Sequence, residues 1–241
     1  MKRPRFEKER RKEGETLASA AYARLRAEII AGDFAGGSKL RIRQLCERYA
    51  VGLSPVREAL NRLSRDGLVV QNDLHGFTVA PLGVEELEEL TKTRCWLNER
   101  ALRESIARGD AAWEEAIVLS QYRLARAARW SGDGDDATVN PEWEVAHRGF
   151  HSALIAACGS RWLVNYCEHL FDVADRYRYL SRTPAARRTR GPDEHIAIMQ
   201  ATLARDADRA VTLLNEHFQK TADHCRSVLI SREAQSRRRS A

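Results

Sequence analysis

The fold of the N-terminal third is decided by the stretch Val51-Gly52-Leu53-Ser54-Pro55-Val56-Arg57-Glu58-Ala59-Leu60-Asn61-Arg62-Leu63. Ser54 is a favourable helix N-cap, and Pro55 suits the first helical position, where its missing N–H would have no partner. Val56, Leu60 and Leu63 recur at i, i+4 and i+7 and therefore form one apolar stripe. The pattern predicts a helix with a rigid first turn and one buried face.

Basic and amide side chains lie off that stripe, at Arg57, Asn61 and Arg62. A second helix, roughly Ile42 to Tyr49, precedes this one across the short turn 50–53, which is the spacing of a helix-turn-helix. A helix of this kind can enter the DNA major groove by its N-terminal end. The same spacing also fits an ordinary αα-hairpin in a helical bundle, so this stretch alone leaves both interpretations open.

Two short strands are predicted directly after these helices. Residues 68–71 form the first strand and residues 76–80 its partner, with a turn of Asn, Asp and His between them. A helix-turn-helix followed by such a hairpin is a winged helix. We therefore predict a mainly α protein, with an N-terminal winged helix-turn-helix and a C-terminal all-α helical bundle.

The residues of this domain resemble the DNA-binding domain of the GntR family of bacterial transcription regulators. The segments that carry the resemblance are Ser54-Pro55-Val56-Arg57-Glu58-Ala59-Leu60, Gly67-Leu68-Val69 and Gly76-Phe77-Thr78-Val79. The resemblance implies a homodimer that binds a double-stranded, pseudo-palindromic DNA operator. It places Arg43 and Arg57 at base-reading positions, where an arginine can pair with guanine.

Other residues of the domain are candidates for DNA contact on the same grounds. Leu53 stands where the family often has an arginine, so the base preference there should differ, for instance through contact with a thymine methyl group. The phosphate-binding candidates, which position without specifying, are Lys39, Arg41 and Arg62. The first-turn residues Ser54 and Pro55 complete the major-groove set. His75 and Gly76 at the wing tip either approach the minor groove or form a plain turn.

Composition and length are those of a globular protein with two domains. The chain has 241 residues, of which 43% are apolar, and no apolar run approaches the roughly 18 residues that span a bilayer. The basic N-terminus is not followed by an apolar segment, so we expect no secretory signal and a cytoplasmic location. Five cysteines without a Cys-x-x-Cys pair indicate reduced thiols.

Positive charge is concentrated in the N-terminal third. Residues 1–80 hold 16 Lys and Arg against 10 Asp and Glu, whereas the remaining residues hold 24 of each. A basic end on a neutral body suits binding of a polyanion by that end. We assign residues 1–14 and 231–241 to basic, disordered arms, 15–82 to the DNA-binding domain and 83–230 to the bundle.

The C-terminal two thirds are predicted to be helical throughout. The predicted helices cover residues 84–108, 112–130, 141–158, 161–180, 192–203 and 207–230. Pro141 opens the third at its first helical position and Ser160 caps the fourth. A polar, glycine-containing loop over residues 131–136 separates the second from the third.

Four histidines are spread over three of these helices. His147 and His151 are four residues apart and share one helix face, whereas His195 and His217 lie on the two helices that follow. Facing one cavity, they could bind a divalent transition metal such as Zn²⁺ or Ni²⁺. An i, i+4 histidine pair is also compatible with a surface position or a supporting role.

The bundle resembles the FCD ligand-binding domain of the FadR subgroup of GntR regulators. The residues that carry this resemblance are Phe150-His151-Ser152-Ala153-Leu154, Asp193-Glu194-His195-Ile196 and His217. Many such domains bind a metal with one aspartate and three histidines. His151, His195 and His217 match the histidines, and His147 stands at the aspartate position, so the metal is held either by four imidazoles or without His147.

The resemblance also implies an effector, a small carboxylate or dicarboxylate. In such domains the metal takes one carboxylate oxygen while an arginine of the first bundle helix binds the other end of the ligand. Arg94 matches that arginine. Arg176, Tyr177 and Arg178 are further candidate donors, although each arginine could instead form a salt bridge within the bundle.

We therefore predict a DNA-binding transcription regulator, a repressor in the default case, whose operator affinity is controlled by the effector. The alternatives are a metal-dependent enzyme built on the same histidines and a bundle that only dimerises. No glutamate stands in a recognisable general-base motif beside the histidines, and the sequence has no glycine-rich phosphate loop. We accordingly predict that the chain is not an enzyme.

Overall fold

The computed structural model of the chain describes residues 15–72, 76–132, 138–181 and 194–240. The chain divides into two compact units between Pro81 and Leu82. Among the described residues, none of the helices combines the length and the apolar character needed to cross a bilayer. The predicted N-terminal arm, residues 1–14, and the wing-tip residue His75 lie outside the described residues.

The first unit is a winged helix-turn-helix. Its elements are α1 (Leu17–Ile30), β1 (Lys39–Leu40), α2 (Ile42–Tyr49), α3 (Leu53–Arg65), β2 (Val69–Asn72) and β3 (Gly76–Val79). The strands form an antiparallel sheet in the order β1-β3-β2. Leu40 pairs with Phe77, and Val70 pairs with Thr78. The predicted hairpin is thus present, and a third strand that was not predicted extends it.

The core of this unit lies between α1, α3 and the sheet. Leu25 and Ile29 of α1 meet Leu60 and Leu63 of α3 and Val79 of β3, and each is at most 2% exposed. Burying an aliphatic side chain contributes about 1.5–3 kcal/mol. The predicted apolar stripe of α3 therefore fixes this helix against the unit and leaves its opposite face in solvent.

The start of α3 differs from the prediction. The helix begins at Leu53 with Gly52 as its N-cap, so Ser54 is not the cap and Pro55 is the third helical residue. The first N–H groups of a helix have no intrahelical acceptor, and a proline there sacrifices no hydrogen bond. Ala50 ends α2 with φ 53°, and this left-handed residue makes the tight turn between the two helices.

The second unit is an all-helical bundle with one small hairpin. Its elements are α4 (Val84–Arg108), α5 (Ala111–Arg126), β4 (Trp130–Ser131), β5 (Thr138–Val139), α6 (Pro141–Ile155), α7 (Arg161–Leu180), α8 (Glu194–Leu203) and α9 (Ala207–Ser240). Helix α4 packs against α6, α7 and α9, and α5 packs against α6 and α8. Asn140 caps α6 ahead of Pro141, and Ser160 caps α7 by accepting a hydrogen bond from the Leu163 N–H.

Three boundaries of this unit differ from the prediction. Trp130 was placed in a helix, but α5 ends at Arg126 and Trp130 pairs with Val139 in the hairpin. Helix α6 ends at Ile155, three residues before the expected end. Helix α9 continues to Ser240, because the basic segment predicted as a disordered tail contains neither proline nor glycine and its Arg, Glu, Ala and Gln residues favour a helix.

Candidate nucleic-acid interface and candidate metal centre

The solvent face of the helix-turn-helix presents most of the predicted DNA contacts. Leu53, Ser54 and Arg57 lie exposed in the first two turns of α3, where Leu53 shows 61% of its surface to solvent. Pro55 is half-buried between them. Three basic residues of β1 and the start of α2 are exposed as well: Lys39, Arg41 and Arg43.

The two predicted base-reading arginines are available for a ligand. Neither Arg43 nor Arg57 makes a hydrogen bond or ion pair with any residue that the structure describes, whereas Arg48 is bound to Glu28 at 2.9 Å. No acidic residue occupies the first turn of α3. Since a helix N-terminus carries partial positive charge, this end of α3 is favourable for a phosphate backbone.

Two other predicted contacts are placed differently. Arg62 is half-buried, with its guanidinium 4.1 Å from the Tyr22 ring centroid and a hydrogen bond to the Ser19 hydroxyl at 3.3 Å. These contacts join α3 to α1 and give Arg62 a structural role besides any phosphate contact. Gly76 lies exposed at the start of β3 with φ 79°, a left-handed conformation that glycine adopts without strain.

The four predicted histidines converge in the second unit. His147 and His151 come from α6, His195 from α8 and His217 from α9. One ring nitrogen from each lies within 4.8 Å of the other three, and the Nε2 atoms of His147 and His151 are 3.2 Å apart. His147 and His151 are buried. The i, i+4 spacing on α6 places both rings on the face that meets α8 and α9.

Burial keeps the imidazoles of His147, His151 and His217 neutral. It lowers the pKa of His147 and His151 well below 6.5 and the pKa of His217 to about 4. A neutral imidazole is the form that binds a metal. Zn²⁺ binds histidine nitrogens at about 2.0–2.1 Å, which sets ligand nitrogens roughly 3–4 Å apart. The cluster therefore fits a divalent transition metal with only a small contraction.

Glu194 binds the ring nitrogen of His217 that faces away from the cluster. Its role was not predicted from the sequence. Its carboxylate lies 2.8 Å from His217 Nδ1 and accepts a hydrogen bond from Lys220 at 2.7 Å. The hydrogen bond from His217 lowers the pKa of Glu194 to about 2. A carboxylate on one ring nitrogen directs the other nitrogen towards a metal, so Glu194 orients His217 Nε2 into the cluster.

Arg94 is a buried cation beside the same cluster. Its guanidinium lies 4.2 Å from the centroid of Phe218, whose ring also contacts His151 and His217. Arg94 is 7% exposed, and its Nε has no hydrogen-bond acceptor among the described residues. Burial lowers its pKa to about 10, so it remains charged at neutral pH. The predicted effector-binding arginine is therefore next to the histidines and lacks a hydrogen-bonded anion.

The three candidate donors of α7 do not all point to the cluster. Arg178 lies 3.3 Å from His147 Nδ1 and is held by Asp175 and Glu144. Tyr177 instead donates a hydrogen bond to Glu86 at 2.5 Å and contacts the Gly83 carbonyl, at the start of α4. Burial lowers the pKa of Arg176, and the negative charge of Glu86 partly opposes this lowering. Arg178 is therefore the candidate donor of α7 that the structure places against a histidine of the cluster.

The chain matches two family descriptions that together cover both units. Residues 17–79 match the bacterial regulatory proteins of the gntR family, and residues 89–220 match the FCD domain. This chain belongs to the GntR family of bacterial transcription regulators. Its winged helix and its histidine-bearing bundle are the two domains of this GntR regulator.

Similar proteins agree with this assignment. The HTH-type transcriptional regulator BphR of Paraburkholderia xenovorans is 38% identical over 86% of this chain and 84% of its own length. The HTH-type transcriptional repressor GlaR of Escherichia coli is 34% identical over 82% of this chain and 90% of its own. These relatives are regulators and not enzymes, so the regulator is favoured over the metalloenzyme considered from the sequence.

Solved structures share the fold. Escherichia coli McbR/YncC superposes with a TM-score of 0.68 at 21% identity, covering 88% of this chain and 97% of that one. A GntR regulator from Rhodococcus sp. RHA1 gives a TM-score of 0.65 at 24% identity, covering 86% and 96%. At these identities the likeness supports the arrangement of the elements and no particular ligand.

Proposed function

We propose that this GntR regulator is a homodimeric repressor that leaves its operator when a small carboxylate or dicarboxylate binds in the bundle. The observation that carries this proposal is Arg94, a buried guanidinium beside neutral imidazoles and without a hydrogen-bonded carboxylate. Asp175 attracts Arg94 electrostatically but does not hydrogen-bond to it, so burial of the guanidinium remains costly and a ligand of opposite charge that hydrogen-bonds to it would reduce that cost. A carboxylate supplies that charge and matches the arginine fork with two hydrogen bonds.

The histidine cluster supports the same ligand class. A cluster of imidazoles suits Zn²⁺ or Ni²⁺, and a divalent cation there would add further positive charge to the site. A metal held by imidazoles alone retains its full charge and attracts an anionic ligand. A dicarboxylate has two anionic groups, one for the metal and one for Arg94.

The repressor assignment is supported by the name of a relative and by the exposed arginines of the helix-turn-helix. GlaR of Escherichia coli is named a repressor, and Arg43 and Arg57 are solvent-exposed, as an operator contact requires. Two copies of α3 on one duplex would read an inverted repeat, because the symmetry of a dimer is mirrored in its operator. Binding of effector and of operator would then oppose each other by the same factor.

The test is a thermal shift of zinc-loaded protein with a panel of mono- and dicarboxylic acids, followed by operator binding with each acid that stabilises. A ligand present at one hundred times its Kd stabilises the native state by about 2.7 kcal/mol. We expect Arg94→Gln to abolish the shift. The matched control is Arg100→Gln on the same helix, which removes an exposed arginine paired with Glu104 and should keep the shift.

The proposal fails in a recognisable way. Metal uptake without a shift for any acid would favour a bundle that only dimerises, and an acid that stabilises without loosening the operator would contradict the repressor mechanism. An Arg94→Gln protein that still responds fully to the acid would remove Arg94 from the site.

A further inference from the structure

The hydrogen-bond partner of His147 determines where its proton lies. Arg178 Nη1 is 3.3 Å from His147 Nδ1, and an arginine only donates hydrogen bonds. Nδ1 must therefore carry the lone pair, and the neutral ring carries its proton on Nε2. That N–H points to His151 Nε2 at 3.2 Å, where it meets a lone pair.

Arg178 is held where it is by two carboxylates. Its Nη1 donates to Asp175 at 2.5 Å, and its Nη2 lies 3.3 Å from both carboxylate oxygens of Glu144. The His147 ring is itself stacked on Trp143, with centroids 4.7 Å apart and planes at 18°. The charge of Arg178 is thus compensated and the orientation of both partners is fixed.

These contacts oppose coordination by His147. Coordination through Nε2 would move the proton to Nδ1, so that an N–H would face the N–H of Arg178. Coordination through Nδ1 would require Arg178, which Asp175 and Glu144 hold in place, to give up its contact with that nitrogen. His217 meets no such obstacle, because Glu194 on its Nδ1 already favours a free Nε2. The contact at His151 Nε2 is with the neutral His147 ring and not with a cation, so a metal can replace it.

Resting on the proposed carboxylate-controlled function, we propose that His147 does not ligate the metal but donates a hydrogen bond from Nε2 to the effector carboxylate. His151, His195 and His217 are then the whole protein ligand set, and coordination positions stay open for the ligand. An aspartate at position 147 could only accept a hydrogen bond, whereas the histidine donates one. The exchange therefore turns a ligand position into a carboxylate-recognition position.

The test of the proton position is ¹H–¹⁵N spectroscopy of the zinc-loaded full chain, labelled at histidine. Long-range couplings distinguish a ring protonated on Nε2, a ring protonated on Nδ1 and a ring bound to metal. We expect three metal-bound rings and His147 protonated on Nε2. A metal-bound His147, or one protonated on Nδ1, would overturn the inference.

Metal and ligand titrations give an independent readout. We expect His147→Gln, which keeps an N–H donor, to hold Zn²⁺ within about threefold of wild type. His151→Ala should weaken Zn²⁺ binding by more than the roughly 100-fold that loss of a supporting partner can cost. With succinate as the probe, His147→Ala should weaken binding about tenfold or more, and His147→Gln should recover most of this.

The outcomes separate this inference from the proposed function. Wild-type protein that takes up no Zn²⁺ contradicts both. Zinc-loaded protein with four ligated imidazoles contradicts the inference alone. Unchanged succinate affinity in His147→Ala would contradict the role of His147 as a hydrogen-bond donor. Zinc-loaded wild-type protein that binds no acid would contradict both this role and the proposed carboxylate effector.

Discussion

We expect the exposed leucine at the start of α3 to set this regulator's base preference apart from that of relatives with an arginine there. Leu53 cannot donate a hydrogen bond, yet it shows 61% of its surface at the end of the helix that would enter the major groove. An apolar side chain there suits the 5-methyl group of thymine. Replacing that thymine by uracil removes one methyl group and should weaken operator binding about fourfold, or about 0.8 kcal/mol.

Scanning each thymine of the operator with uracil, with binding followed by fluorescence anisotropy, checks this expectation. The sensitivity should appear at one symmetry-related pair of positions and disappear in Leu53→Ala. Wild-type protein that is indifferent to uracil at every position would show that Leu53 reads no methyl group.

Arg57 provides the corresponding test of direct base reading. Arg57→Ala should cost about 1–3 kcal/mol of operator binding and relax specificity at one base pair. The matched control is Arg65→Ala, which removes the same charge from the exposed end of the last turn of α3. Competition with random DNA separates the two effects, and an equal loss on operator and random DNA in Arg57→Ala would contradict base reading.

At the scale of elements, two glycines of the bundle give opposite expectations. A Cβ on Gly109 would lie 2.0 Å from the ring of Trp113, which is buried and donates a hydrogen bond to Ala153. A Cβ on Gly149, within α6, would meet nothing within 4 Å. Gly109→Ala should therefore destabilise by about 1–3 kcal/mol, whereas Gly149→Ala should stabilise by up to about 1 kcal/mol.

Urea unfolding followed by tryptophan fluorescence measures both changes. All five tryptophans lie in the second unit, so the signal reports that unit alone. Equal stability of the two variants would mean that the helix junction at Gly109 adapts freely to the added methyl group.

The histidine cluster joins α6, α8 and α9, and it should make metal-free protein sensitive to acid. The pKa of His217 is about 4, and the pKa values of His147 and His151 lie well below 6.5, because burial disfavours the charged form. Between these values and 6.5 the unfolded chain binds more protons than the folded one. Stability is therefore complete above pH 6.5 and falls as the pH drops towards 4.

Urea midpoints of chelator-treated protein between pH 7 and pH 5 follow this loss. His151→Gln should reduce the slope, while the control His224→Gln, an exposed histidine outside the cluster, should preserve it. A midpoint that is constant over this range in wild type would contradict the burial of neutral imidazoles.

The sequence predicted the longer helices because a sustained apolar period reflects one buried face, as in α3 and α4. It did not predict β1, since two residues carry no period and Lys39–Leu40 is a strand only through its pairing with β3. Trp130 was wrongly predicted to be helical for the same reason, because it is a strand residue only through its pairing with Val139, nine residues later in the sequence. Pairing between distant segments decided each of these elements.

In the candidate site too, the sequence predicted which residues come together but not the contacts that distant segments make with them. The spacing of His147 and His151, together with the family resemblance, was enough to predict that four histidines form one cluster. The contacts that give these rings different roles come from other helices, namely Arg178 of α7 on His147 and Glu194 of α8 on His217. Such partners have no fixed spacing in sequence and could be found only in the folded chain.

At the scale of the whole molecule, the proposed operator and effector sites lie in different units of one chain. The proposed linkage is reciprocal, so an acid that lowers operator affinity tenfold must itself bind tenfold more weakly to the DNA-bound protein. This makes the DNA-reading unit the direct reporter of events in the bundle.

Selection of binding sites from random duplex DNA by the zinc-loaded full chain tests directly whether this regulator reads an operator. We expect an enriched inverted repeat that Arg57→Ala selects poorly and that a stabilising carboxylate releases. Selection at low ionic strength that enriches no common sequence would contradict the claim that α3 reads an operator as part of a dimer.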